Sequence, residues 1–164
     1  MDNVTYSEVD YLFQIGDSIV YPLHGAGVIE AIEKKEVLGE YRQYFVIKLS
    51  INNLQVMIPI ENIAKLGLRP VIDCEKLEDA LENYLGGVTD QSIPVKERLK
   101  INTDKIKTGK ITDCIDVVRD LRRIEEEKSL NSSEKQLLNK AAAILMSELV
   151  LIDGITENQL KRFS

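Results

Sequence analysis

Tryptophan is missing from this 164-residue chain, histidine occurs once and cysteine twice. Each shortage removes a class of chemistry. Cys74 and Cys114 lie far apart in sequence, and two isolated cysteines do not make a disulfide framework. A reduced compartment is expected, with both thiols as core or boundary residues. His24 sits in the turn His24-Gly25-Ala26-Gly27 with no further ligands at the fixed spacing a metal site needs. The same turn is not followed by a Lys-Ser/Thr pair, so it is no phosphate loop. No nucleophile elbow occurs. The run Glu125-Glu126-Glu127 would point three ways on a helix and reads as exposed surface. With no constellation suited to catalysis, no metal and no cofactor expected, the chain reads as a non-enzyme. Long apolar runs are lacking too: none approaches the roughly 18 residues of a membrane span. Residues 1–13 carry Asp2, Glu8 and Asp10 but no Lys or Arg, unlike the basic start of a signal peptide. A cytoplasmic protein without a membrane partner is expected.

Hydrophobic residues make up 44% and charged residues 29%, the balance of a globular protein. The net charge of -6 argues against a protein that coats nucleic acid all over. Between Lys96 and Arg123, however, nine Lys/Arg face five Asp/Glu, a local balance of +4. Such an excess attracts phosphate inside an acidic chain; on charge alone it is equally a solvated, salt-bridged helix face.

The periodicity divides the chain in two. From Phe13 to Leu66 short β-branched runs alternate with turn residues. They are Ser18–Tyr21, Val28–Val37, Tyr44–Leu49 and Gln55–Ile60, separated by Pro22 with His24 to Gly27, by Gly39-Glu40 and by Ile51 to Leu54. Pro59 marks an edge or a strand end. Four or five short strands with tight turns predict a small, strongly bent β-barrel over residues 13–67. After a linker over residues 68–74, residues 75–164 read as an all-α bundle, giving a segregated α+β chain. Leu77, Leu81 and Leu85 make one helix face, ended by Gly86-Gly87. Lys96 to Lys107 is a basic helix stopped by Thr108-Gly109. Ile111, Ile115, Val118 and Leu121 stripe a third helix. Ser133 with Gln136 predicts a capping box for a fourth, whose apolar face runs from Leu137 to Ile152. Residues 1–12 read as a mobile tail.

The residues themselves go further than the pattern. Phe13-Gln-Ile-Gly-Asp-Ser-Ile-Val-Tyr-Pro-Leu-His-Gly-Ala-Gly-Val-Ile is similar to the opening of the RNA-polymerase-interacting domain of the CarD/CdnL family of bacterial transcription regulators. Pro59-Ile60-Glu61-Asn62, Val117 to Leu121, Leu130 to Lys135 and Leu138 to Ala141 resemble later elements of that family. The likeness runs in order from Phe13 to Ile152. It implies a Tudor-like barrel that docks on the RNA polymerase β subunit. It also implies a helical domain that meets promoter DNA at the upstream edge of the transcription bubble and alters open-complex stability. A monomer is expected, held at the nucleoid through polymerase.

The resemblance also implies site residues. Lys34, Lys35 and Arg42, on or near a hairpin turn, would face acidic groups on polymerase or serve as solubilising charges. Lys35 aligns with a basic polymerase-contacting position. A second basic contact lies two residues before the equivalent of Pro59, and here that position is Met57, an apolar departure. Arg98, Lys100 and Lys135 align with basic residues facing the duplex, suited to phosphate contacts without sequence readout. The family often places a Trp wedge before this helix. Here Val95 follows Ile93 and Pro94, as a smaller wedge at a base step or a loop residue packed on the bundle. Two other readings stay open: an RNA- or ribosome-associated small-barrel protein, and a polymerase adaptor whose helical domain binds another protein.

Overall fold

The computed structural model describes residues 13–163. The expected tail over residues 1–12 lies outside them. Strands β1 (Ser18–Tyr21), β2 (Gly25–Val37), β3 (Glu40–Leu49), β4 (Gln55–Pro59) and β5 (Arg69–Pro70) form one antiparallel sheet in the order β4-β3-β2-β1-β5. A register shift between Ile29 and Ala31 bends β2, as an extra residue in one strand does. One face of the bent sheet carries Ile19, Ile29, Phe45, Ile47, Leu49 and Ile58, closed by Phe13, Ile60, Ile63 and Leu68. The short turn Ile60–Asn62 and helix α1 (Ile63–Leu66) supply part of that lid. Pro59 ends an edge strand, where its missing N–H costs no ladder bond.

The helical half comprises α2 (Cys74–Gly86), α3 (Val95–Lys107), α4 (Ile111–Glu127), α5 (Ser132–Leu149) and α6 (Glu157–Lys161). Leu77, Ala80, Leu81, Ile115, Val118, Leu121, Ile124, Leu138, Ala141, Leu145 and Leu149 fill its core. Among the described residues, no helix is long and apolar enough to cross a membrane.

Three local expectations change. Leu85, assigned to the inner face of α2, is 61% exposed, and Ala80 packs inward instead. The last turn of α2 meets a polar clamp: Arg119 donates to the Asn83 carbonyl and Arg123 to those of Tyr84, Leu85 and Gly87. The N-cap of α5 is Asn131, accepting from the Glu134 N–H at 2.9 Å, so the Ser133–Gln136 box does not form. A capping box forms at α6 instead, between Thr156 and Gln159. Finally, the expected linker is partly sheet: Arg69 and Pro70 pair with Val20 and Ile19. Only Val71, Ile72 and Asp73 separate β5 from α2.

Candidate polymerase and nucleic-acid interfaces

The β2–β3 hairpin extends past its neighbours. β1 pairs with β2 only over Gly25 to Val28, and β4 with β3 only over Tyr44 to Lys48. Residues 33–43 therefore form a two-stranded ribbon. It closes with Leu38 and Gly39, both at positive φ, as a two-residue hairpin turn requires. Lys35 stands opposite Arg42, two like charges on one face. Such a pair is unfavourable by itself, and Arg42 is offset by Glu61 at 3.1 Å and Glu40 at 3.4 Å.

Alternation along the ladder carries this face onward. Arg42, Tyr44 and Val46 share it on β3, and their partners Lys35, Pro59 and Met57 follow. The sheet thus brings Lys35, Arg42, Met57 and Pro59 to one face. Lys34 falls on the other, with its Nζ 5.3 Å from the Tyr41 ring centroid.

On the helical side, the first turns of α3 and α5 are tied together. Arg98 donates from Nε to Glu134 Oε1 at 2.6 Å and from Nη2 to Oε2 at 2.9 Å. Both residues are buried, at 5% and 1% exposure. A third bond, from Nη1 to the Ile93 carbonyl, pins the loop ahead of α3. The Glu134 hydrogen bonds raise the Arg98 pKa above its ordinary value. The assignment of Arg98 to a phosphate contact is therefore corrected: its guanidinium is spent inside the protein. Val95 opens α3 instead of closing the loop and is 43% exposed. Lys96 and Lys100, in the first two turns of α3 and two residues either side of Arg98, are exposed away from α5, and Lys135 is exposed in the first turn of α5. Helix N-termini carry partial positive charge, which adds to theirs.

Much of the basic excess on α3 and α4 is internal. Arg119 is buried between Asp116 at 3.0 Å and Asp120 at 2.9 Å. Arg122 bonds the Tyr84 hydroxyl and the Phe163 carbonyl, and Lys105 reaches Asp116. These arginines satisfy orphan carbonyls at a helix end. Their signal in the sequence is the i, i+3 and i, i+4 spacing of Asp116, Arg119, Asp120 and Arg123. A second group lies outside the sequence expectations: Arg69 on β5 and Glu148 on α5 pair across the two halves. An acid between Leu145 and Leu149 on an apolar face marks a buried charge in need of a partner. His24, the one histidine, is exposed and lies with its ring 4.4 Å from that of Tyr21.

With this geometry in place, likeness to known proteins decides the family. The CarD-like/TRCF RID domain profile matches residues 13–72, and the profile of the CarD C-terminal domain matches residues 81–163. The chain belongs to the CarD family. A candidate transcription factor of Bacillus subtilis (strain 168), YdeB, is 54% identical over 152 residues, covering 93% of this chain and 99% of YdeB. The solution NMR structure of the 72-residue N-terminal domain of Myxococcus xanthus CarD matches 35% of this chain and 77% of that chain, at 29% identity and a TM-score of 0.31. This CarD-family member is a transcription regulator with an RNA-polymerase-interacting domain, and the profile boundaries follow the fold. The first runs through β5, past the break expected after Gly67, and the second begins inside α2.

Proposed function

We propose that this CarD-family chain docks on the RNA polymerase β subunit through its sheet and contacts promoter DNA at the upstream edge of the transcription bubble through α3 and α5. By doing so it alters open-complex stability at initiation. Docking holds the chain at the nucleoid. The observation that carries the reading is the juncture of two helix N-termini tied by Arg98 and Glu134, with Val95 and Lys135 exposed on the same first turns and Lys96 and Lys100 exposed farther round α3. Three lysines and two helix starts neutralise a few phosphates without reading sequence. Anchoring by polymerase raises the local concentration of this surface at the DNA, so a domain of modest affinity suffices even in a chain of net charge -6. A tenfold shift between closed and open complexes needs only about 1.4 kcal/mol of differential binding. Val95 provides a small apolar side chain at the duplex-facing end in place of an aromatic wedge.

The docking half of the reading rests on Lys35, opposite an Arg42 already offset by Glu40 and Glu61, as a basic side chain suited to an acidic partner. Capture of the purified β subunit by the full chain is the expected result. Lys35→Glu is expected to weaken that capture about tenfold or more. Equal capture by both chains would remove the ribbon from the interface, and no capture by either would favour an RNA-associated role.

A further inference from the structure

The contact between the two halves is built from directional bonds. Register places Arg69 opposite Val20 on the sheet face that also carries Ala26, so all three point toward α5. Arg69 meets Glu148 in a two-pronged pair, Nη1 to Oε2 and Nη2 to Oε1, each at 2.7 Å. Its Nε donates to the Gly109 carbonyl between α3 and α4 at 2.8 Å. The same Glu148 oxygen, Oε2, accepts the N–H of Ile72 at 3.0 Å, within the three-residue connector. One residue earlier, Ser147 Oγ accepts the N–H of Ala26 at 2.9 Å and donates to the Ile144 carbonyl.

Glu148 is 4% exposed, so its carboxylate is held by these protein groups and not by bulk solvent. The surrounding fit is close. A Cβ on Gly109 would lie 2.6 Å from Pro22, and one on Gly25 2.8 Å from Ser147 Oγ. The cavity beside Arg69 and Glu148 is about 10 Å³, room for one water at most, while an open groove of about 510 Å³ runs between Arg69 with the connector and Lys110 to Thr112.

We infer that Glu148 is a positioning residue that fixes the angle between the sheet and the helical bundle, so that the two interaction surfaces act as one rigid body. A buried ion pair adds little net stability over an apolar contact of equal volume, yet its forked geometry tolerates one arrangement. Here the fork joins the sheet, and the connector bond joins the same carboxylate, leaving neither side a hinge. The functional consequence rests on the proposed docking and DNA contacts: an anchored sheet presents α3 and α5 to the duplex in a single pose. The structural part stands on the bonds alone.

The test uses the full chain with spin labels at Lys65→Cys and Lys140→Cys, exposed sites on α1 and α5, in a Cys74→Ser background with Cys114 left buried. One narrow distance is expected, widening measurably in Glu148→Gln and less in Ser147→Ala, while circular dichroism is preserved. Capture of the polymerase β subunit should stay within about twofold, since the ribbon is remote from the substitution. The effect on open-complex lifetime should fall about tenfold or more as the effective concentration at the DNA drops. A general loss of structure would lower docking and promoter effect together. Unchanged widths in both variants would overturn the inference, and so would a widened distance with the promoter effect intact. Should Glu148→Gln unfold, Ser147→Ala decides by the same readouts. A parent protein without any effect on open complexes would contradict the proposed function, while the distance widths would still judge Glu148.

Discussion

Arg98 shows how a charge changes meaning once its neighbours are known. In sequence it opens a basic helix and aligns with duplex-facing residues of the CarD family. In the fold it lies buried against Glu134 and holds the Ile93 carbonyl. Arg98→Ala would leave the Glu134 carboxylate buried without its cation, at a cost of about 3–5 kcal/mol. Truncating an exposed arginine that served only to touch phosphate would change stability by just about 0.5 kcal/mol. A denaturation midpoint separates the two, and the large loss is expected. Cys114 is a second residue defined by its surroundings. Burial first, then the negative charge of Glu148, pushes its thiol from 9.0 up to about 12, with Arg69 partly offsetting. The folded protein therefore keeps the proton that the unfolded chain releases above pH 9.0. This thiol's contribution to stability is complete below that pH and is lost as pH rises toward 12. At neutral pH, thiol reagents should modify Cys74 in the native protein and reach Cys114 only after unfolding. Equal rates at the two would contradict the burial described for Cys114.

At the scale of elements, the strands and helices are legible because their periods differ: alternation in β1 to β4, and apolar positions at i, i+3 and i+4 in α4 and α5. What stays hidden is which charges serve the fold. Asp116, Arg119 and Arg123 share a helix surface, but that this surface caps α2 depends on the packing of α2 on α4, which no local pattern records. Leu85 misleads for the same reason, since its apolar spacing continues past the point where the core ends. Gly39 marks the hairpin, while Leu38 carries no turn signal. At φ +52° and 99% exposure Leu38 occupies a conformation that costs a branched L-residue about 1 kcal/mol or more, with no packing in return. Leu38→Asn should raise stability by about 1 kcal/mol, read as a higher denaturant midpoint with an unchanged slope. A lower midpoint would mean that Leu38 makes a contact in solution that this fold does not contain.

For the whole molecule, order and class of domains are readable, and their relation is not. Residues 68–74 resemble a linker in composition, yet β5 completes the sheet and Glu148 binds the connector. Glycine at 25 and 109 carries no hint of this, because the close approach to Ser147 and Pro22 exists only after both halves have folded. Of the candidate site residues, Lys35, Arg42, Met57 and Pro59 come together on one sheet face. Val95 and Lys100 are exposed on the first two turns of α3, and Lys135 on the first turn of α5, where Arg98 and Glu134 join the two helices. Arg98 leaves the surface, and Lys34 turns to the opposite face. The two groups stand on separate halves of a chain whose halves are bonded together, as the proposed bridge between polymerase and DNA requires.

The most direct test of that bridge is open-complex lifetime on a linear promoter fragment with purified polymerase, comparing the parent chain with Lys100→Glu and Lys135→Glu combined. Both lysines are exposed, so the variant should fold and bind the β subunit as before. The expected result is loss of most of the lifetime change and of the upstream DNA footprint, about 1–2 kcal/mol in free energy. An unchanged lifetime and footprint, with polymerase binding intact, would contradict the DNA contact and point to a protein partner for the helical domain.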